Sequence, residues 1–255
     1  MNGYVPITDL HNHILPGIDD GARNPDLSRA LLQSEKEQGT EQILFTPHFY
    51  ANHMDFEEFF RNRDASFASM KGVIRDMGFK TKLGAEVRLQ EKLFELDLPR
   101  LRMGNTHYLL LEWPFDGSYP VWGDEIVDRL LRRGIRPLFA HIERYDFFFR
   151  NEENLRHFMD KGCVFHINAD TVSYKRTSGQ AIHLLKDGFV HMICSDAHDP
   201  GRRPVRLDQA YDFIEEKVGP EAVWMLRENA DTLFNDGEVH THRRPPVRRR
   251  LFGLF

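Results

Sequence analysis

The sequence predicts an α/β fold in which parallel strands alternate with helices and curl into a barrel or near-barrel. Three observations predict it. Seven short apolar runs recur along the 255 residues. Helix-like segments lie between them, with no internal repeat and no linker before residue 236. Most runs are continuously apolar rather than alternating, as in strands covered on both faces. Such βα alternation implies parallel strands joined by right-handed crossovers. We place one domain at residues 1–235 and a tail at 236–255.

The first run is "YVPITDLH" at 4–11, and a helix over 25–38 follows it. Asn24 is the N-cap of that helix and Pro25 takes its first position. Leu27, Ala30 and Leu31 form the apolar stripe, and Gly39 closes the segment. The next runs are "QILFTPH" (42–48), "KTKLGAEV" (80–87) and "HYLLLEW" (107–113). A helix over 124–133 carries Ile126, Val127, Leu130 and Leu131, with Gly134 beyond its end. The last runs are "RPLFAH" (136–141), "CVFHIN" (163–168) and "VHMICSD" (190–196). Residues 205–217 then set Leu207, Ala210, Tyr211 and Ile214 at i, i+3, i+4 and i+7.

Composition excludes several classes. The 34 basic and 39 acidic side chains give a formal charge of −5, which leaves no footprint for general nucleic-acid binding. No apolar run reaches the roughly 18 residues of a membrane span. The start, "MNGYVPITDLH", lacks a signal-peptide pattern, so we expect a cytoplasmic protein. Cys163 and Cys194 lie in apolar runs and are expected to be buried thiols. A cysteine phosphatase needs Cys-x5-Arg. The residues six after these cysteines are Ala169 and Pro200, which excludes that mechanism. No Walker loop and no G-x-G-x-x-G occurs.

Metal-type side chains end nearly every run. The first ends in His11 and His13, the second in His48, the third in Glu86. The fourth ends in Glu112, the fifth in His141, and the seventh in Asp196 and then His198. In parallel α/β barrels the C-terminal strand ends share one face, so these residues would meet there. Residues i and i+2 of an extended segment point the same way, so His11 with His13, and Asp196 with His198, can each grip one ion. Imidazole and carboxylate suit Zn, Mn or Fe. So many ligands exceed one ion, and two or three ions bridged by carboxylates fit, with Glu86 as the natural bridge. Taken singly, each of these residues is commonly a helix cap or a solvated loop side chain. The joint pattern is what points to metal.

The stretches "DLHNHILPGIDDGA", "TPH", "GAEVRL", "LLLEWPF", "AHIERY" and "SDAHDPGRRP" resemble, in that order, the motifs of the PHP-type bacterial protein tyrosine phosphatases. That is the CpsB/CapC/YwqE-like family of the PHP superfamily, active in capsule and exopolysaccharide regulation. The resemblance covers roughly residues 6–235 and implies a distorted (β/α)7 barrel with three metal ions at the C-terminal ends of the strands. It implies that His11, His13, Glu86 and Asp196 hold one ion, that Glu86, Glu112 and His141 hold a second, and that Asp20, His48 and His198 hold a third. Arg144 and Arg203 match the phosphate-gripping arginines, although either alone reads equally as a surface salt bridge. Ile142 departs from the family, where many members have proline. Asp19 reads as a residue shaping the loop or supporting a ligand.

The implied reaction is hydrolysis of phosphotyrosine on a protein, such as a bacterial tyrosine kinase of capsule biosynthesis. The nucleophile would be hydroxide from a metal-bound water. Mn is the expected ion, with Fe or Zn as alternatives. Asp199 or His198 could protonate the leaving group. Phe49, Tyr50, Trp113, Phe115 and Tyr145 are candidates to guide the substrate ring, or else pack the barrel mouth; His53 reads as a surface residue. Two other readings stay open: a phosphoesterase for a small metabolite such as histidinol phosphate, and a metal-loaded regulatory module without turnover. The tail "VHTHRRPPVRRRLFGLF" is arginine-rich. It reads as flexible, or as a dock for an acidic partner or a membrane surface approached peripherally.

Overall fold

The computed structural model describes residues 4–115, 121–174 and 177–239. Most of the tail, 240–255, and the expectations for it lie outside the described residues. The strands are β1 (Ile7–Asp9), β2 (Thr40–Phe45), β3 (His48–Phe49), β4 (Lys80–Leu83), β5 (Glu86–Arg88), β6 (Tyr108–Glu112), β7 (Arg136–Phe139), β8 (Val164–Asn168) and β9 (Met192–Cys194). All paired strands run parallel. Their orders are β1-β2-β4 and β3-β5-β6-β7-β8-β9.

Nine segments arise from seven runs because two runs break. Thr46-Pro47 divides β2 from β3, where proline has no N–H to donate to the ladder. Gly84-Ala85 divides β4 from β5. The sheet carries on across both breaks: Gly84 N donates to Phe45 O at 2.9 Å and Glu86 N to Pro47 O at 3.0 Å. One curled parallel sheet results, in the sequence order of the runs. Beyond the last ladder, Asp196 N donates to His11 O at 2.8 Å and His13 N to Ala197 O at 2.9 Å. The first and last strands are thereby joined at their C-terminal ends only.

The helices are α1 (Pro25–Glu37), α2 (Phe56–Asp76), α3 (Trp122–Arg132), α4 (Asp146–Arg150), α5 (Glu152–Asp160), α6 (Ala169–Ser173), α7 (Ser178–Lys186), α8 (Leu207–Lys217) and α9 (Pro220–Phe234). The α1 cap is as expected, with Asn24 Oδ1 accepting from Leu27 N at 3.0 Å. The βα alternation fails once. Between β5 and β6 the described chain makes two 3-10 turns, Glu91–Glu95 and Leu98–Leu101, and no α-helix. That departure leaves a recess on this flank of the barrel.

Two apolar layers form. The larger lies between sheet and helices and includes Phe45, Val87, Leu111, Phe139 and Ile193. The smaller fills the barrel interior with Leu44, Leu110, Leu138, Val164 and Met192, closed off by Leu233 of α9. The α9 helix packs on both β1 and β9, the one place where the ladder does not close. Residues 236–239, assigned to the tail from sequence, belong to this lower end. Val239 is buried, and its N–H donates to the Tyr108 hydroxyl at 3.0 Å. No helix among the described residues is long and apolar enough to cross a membrane.

Candidate metal centre

The C-terminal strand ends bring all nine predicted ligands together. His11 and His13 follow β1, and the backbone bonds that join the chain after β1 to the chain after β9 set them beside Asp196. Glu86 opens β5, Glu112 ends β6, and His141 lies two residues beyond β7. Glu86 is fully buried at the middle. Its Oε2 lies 3.2 Å from His11 Nε2, 3.2 Å from His13 Nε2 and 2.8 Å from His48 Nδ1. Its Oε1 lies 2.9 Å from His141 Nε2. Asp196 Oδ1 is 3.7 Å from His11 Nε2 and 3.5 Å from His13 Nε2. Asp20 Oδ1 is 3.4 Å from His48 Nε2 and 3.5 Å from His198 Nε2.

Three overlapping sets of donors could hold an ion: His11, His13 and Asp196; His48, Glu86 and Glu112; and His13, Asp20, His48 and His198. The atoms themselves fit a cation. Three imidazole nitrogens crowd Glu86 Oε2, yet this buried oxygen makes no hydrogen bond, nor do His48 Nδ1 and His198 Nε2. Convergent lone pairs without shared protons are what nitrogen and oxygen donors around a divalent ion look like.

The electrostatics agree. Burial alone would raise the Glu86 carboxyl, but the His11 and His48 imidazoles hold it well below the usual carboxylate range. Asp196 is likewise raised by burial and held well below by His11, Arg144 and Arg203. Burial pushes Glu112 up to about 7, with the Glu86 charge adding to it. Burial drives His141 down to about 4. Such a buried set of opposed groups is balanced by added positive charge.

Local conformation is shaped around these ligands. His141 has φ 35° and Asp196 φ 51°, left-handed values that cost a non-glycine residue on the order of 1 kcal/mol or more. In the loop after His13, a Cβ on Gly21 would lie 2.1 Å from His13 O, so only glycine allows this close approach. That approach brings Asp19 Oδ2 to 2.7 Å from His13 Nδ1, leaving Nε2 to face the centre. Asp19 also accepts from His48 N and Gly21 N. It is the supporting residue the sequence suggested.

Three supporting residues were not found from sequence. His166 Nε2 lies 2.9 Å from His11 Nδ1, which fixes that ring with its Nε2 toward Glu86. Asn168 Nδ2 donates to Asp196 Oδ2 at 2.6 Å. Asp9 accepts from Ser195 N and Oγ and from Asn12, tying β1 to the chain after β9. A signal existed for two of them. Val164, His166 and Asn168 alternate along β8, so a histidine and an amide face the barrel interior with the ligands.

The predicted arginines converge on one point. Arg144 Nη2 lies 3.0 Å and Arg203 Nη2 2.6 Å from Asp196 Oδ2, both side chains partly open to solvent. The aromatic candidates divide. Phe49 and Trp113 are fully buried and Tyr145 nearly so; all three are packing residues. Phe115 is half-exposed and stacks on His141 and Tyr145, with centroids at 5.7 and 5.1 Å. Tyr50 stacks on His48 at 5.2 Å. His53 is exposed, as expected. Asp199 is poorly suited as an acid: the backbone N–H groups of Arg202 and Gly201 hold its carboxyl low. Both cysteines are buried free thiols, and burial pushes both thiols up.

Residues 7–235 match the family described as capsular polysaccharide synthesis, CpsB/CapC. The tyrosine-protein phosphatase YwqE of Bacillus subtilis is 31% identical, over 97% of this chain and 99% of its own length. The tyrosine-protein phosphatase CpsB of Streptococcus pneumoniae is 31% identical, over 83% of this chain and 90% of its own. A crystal structure from work on YwqE and CpsB, described as metal-dependent tyrosine phosphatases, superposes with a TM-score of 0.83 at 26% identity, covering 94% of this chain and 98% of that one. A β-aspartyl dipeptidase from Fervidobacterium islandicum shares the fold alone, with a TM-score of 0.56 at 13% identity, covering 94% of this chain and 76% of that one. A largely buried cluster of nine nitrogen and oxygen donor residues, two convergent arginines and a match across nearly the whole length agree: the chain belongs to the CpsB/CapC family.

Proposed function

We propose that this protein is a metal-dependent phosphatase that hydrolyses phosphotyrosine on proteins. The observation that carries the reading is the convergence of Arg144 and Arg203 on the rim of the nine-residue cluster. It is supported by relatives named tyrosine-protein phosphatases. His11, His13, Glu86 and Asp196 would hold one ion, Glu86, Glu112 and His141 a second, and Asp20, His48 and His198 a third. We propose manganese, with iron or zinc as substitutes, because the same donor set accepts all three. Bound there, the ions supply an activated water and positive charge for the phosphoryl oxygens.

The protein's own groups do the rest. Arg144 and Arg203 give forked, charge-assisted hydrogen bonds to the phosphoryl group and orient it. Asp19 and His166 keep the His13 and His11 rings aimed at the centre. Phe115, exposed and stacked over His141, offers a face to the substrate ring. We further propose a tyrosine kinase of capsular polysaccharide synthesis as the partner, and the cytoplasm as the site of action.

The test is direct. The purified protein is assayed for bound Mn, Fe and Zn and for turnover of a phosphotyrosine peptide beside histidinol phosphate, with and without chelator. Peptide turnover that chelator abolishes is the expected result. Turnover of histidinol phosphate alone, or none with metal bound, overturns the assignment.

A further inference from the structure

We infer that the recess beside β5 is the docking groove for the substrate polypeptide, and that it takes a segment carrying carboxylate side chains next to the phosphotyrosine. The inference rests on the phosphatase reading and adds the surface that selects the protein substrate.

The groove has a volume of about 920 Å³. It exists because the third crossover is made of 3-10 turns rather than an α-helix, which leaves this flank of the barrel open. Arg88, Lys92, Phe94, Trp122 and Arg129 line it, with Glu91 and Glu95. It lies beside the metal centre, and it shares Pro114 with a smaller cleft lined by Phe115 and Arg144. Arg88 stands two residues after Glu86 and pairs in register with Glu112. Pro114, two residues beyond Glu112, also lines the groove. A peptide whose phosphotyrosine reached the arginines could therefore lay its neighbouring residues here.

Two features select the occupant. The first is charge. Three cations outnumber two carboxylates on a chain whose formal charge is −5, so the groove is locally basic on an acidic protein. Arg88 lies over the Tyr50 ring at 5.8 Å and Arg129 over the Phe94 ring at 3.6 Å. Both guanidinium groups are thus spread on aromatic faces, with edges left for a carboxylate. The second is exposed apolar surface. Among the described residues the large exposed apolar side chains are Tyr4, Phe115, Val121, Trp122 and Tyr174. Trp122 lines the groove, and Phe115 and Val121 are the sequence neighbours of Pro114 and Trp122. Apolar side chains gathered at a polar rim mark a protein-binding surface.

The experiment compares three substrates on the full chain loaded with manganese: a small aryl phosphate, a phosphotyrosine peptide flanked by glutamates, and the same peptide flanked by glutamines. The variants are Lys92→Glu/Arg129→Glu and Trp122→Ala, with thermal midpoints confirming folding. We expect the charge-reversed variant to raise KM for the glutamate peptide by about tenfold, with much less change for the glutamine peptide. We expect Trp122→Ala to raise KM for both peptides, and kcat/KM for the aryl phosphate to hold in both variants. An unchanged KM for the glutamate peptide, or an equal loss on all three substrates, overturns the groove. Failure of the wild type on every phosphotyrosine substrate would instead overturn the phosphatase reading.

Discussion

The two ends of the barrel are built on opposite principles. At the mouth, buried histidines, aspartates and glutamates crowd together, with left-handed backbone at His141 and Asp196. At the base, Leu233 and Phe234 of α9 close an apolar interior. Several polar groups there are paired with one another. The Tyr108 hydroxyl donates to Gly237 O and accepts from Val239 N, and Arg136 reaches both Tyr108 and Val239. The difference teaches how one sheet serves two purposes. Apolar packing under α9 supports the base, and the frustrated, charge-rich end is free for chemistry. Substitutions at the two ends should therefore separate activity from stability.

The largest effect is expected at Glu86, which touches His11, His13, His48 and His141. Glu86→Gln should lower kcat/KM by on the order of 10⁴-fold, about 5.5 kcal/mol of transition-state stabilisation. Bound metal, measured by elemental analysis, should fall with it; full metal content and activity would sink the bridging role. The counterpart at the base is Leu233→Ala. It should cost about 2–5 kcal/mol in denaturant unfolding while kcat/KM stays at the wild-type value. A loss of activity in the folded variant would blur the division between the two ends.

Arg203→Ala tests the mouth without replacing a proposed ligand, although it removes a partner of Asp196. We expect a loss on the order of 10²-fold in kcat/KM, with metal content retained. Gly21→Ala probes how the loop supports His13. The added Cβ would meet His13 O, so a destabilisation of about 1–3 kcal/mol and weaker metal binding by titration calorimetry are expected. Unaltered affinity would show that the loop does not aim His13.

The smallest effect belongs to the base. His191 is fully buried, its Nδ1 accepting from Phe165 N at 3.0 Å, and burial holds its pKa down to about 3. A depressed histidine binds its proton more readily unfolded than folded. Its contribution is therefore complete above pH ~6.5 and lost as pH falls towards the folded value. Wild-type stability should drop by up to about 1.4 kcal/mol per pH unit across that window from this group alone. His191→Gln should show a shallower acid limb in thermal melts, and an equal slope would remove the assignment.

Much of this molecule could be read from the chain. The seven runs became the strands in order, and every predicted ligand except Asp20, which reaches in from a loop, lies at or near a strand end. Local patterns suffice for that, because burial on both faces selects apolar runs and βα geometry puts their ends on one rim. Where reading failed, the information was not local. His166 sits in a run that ends in no ligand, and only its neighbours across the barrel turn it into a support for His11. Phe49 and Trp113 look like rim aromatics in sequence, yet burial places them in the core.

The boundary between the two kinds of information is clear at three sites. Residue types and spacing alone pointed to a metal cluster, because H-x-H and carboxylates ending several runs make a joint pattern that no single residue makes. Tertiary contacts alone specified how the cluster closes. Bonds between the chain after β1 and the chain after β9 join residues about 185 positions apart, and no local preference encodes such a pairing. The same holds for residues 236–239, polar and tail-like in sequence but held at the base by Tyr108 and Arg136. Short-range propensity writes the elements, and burial between distant segments decides which of them meet.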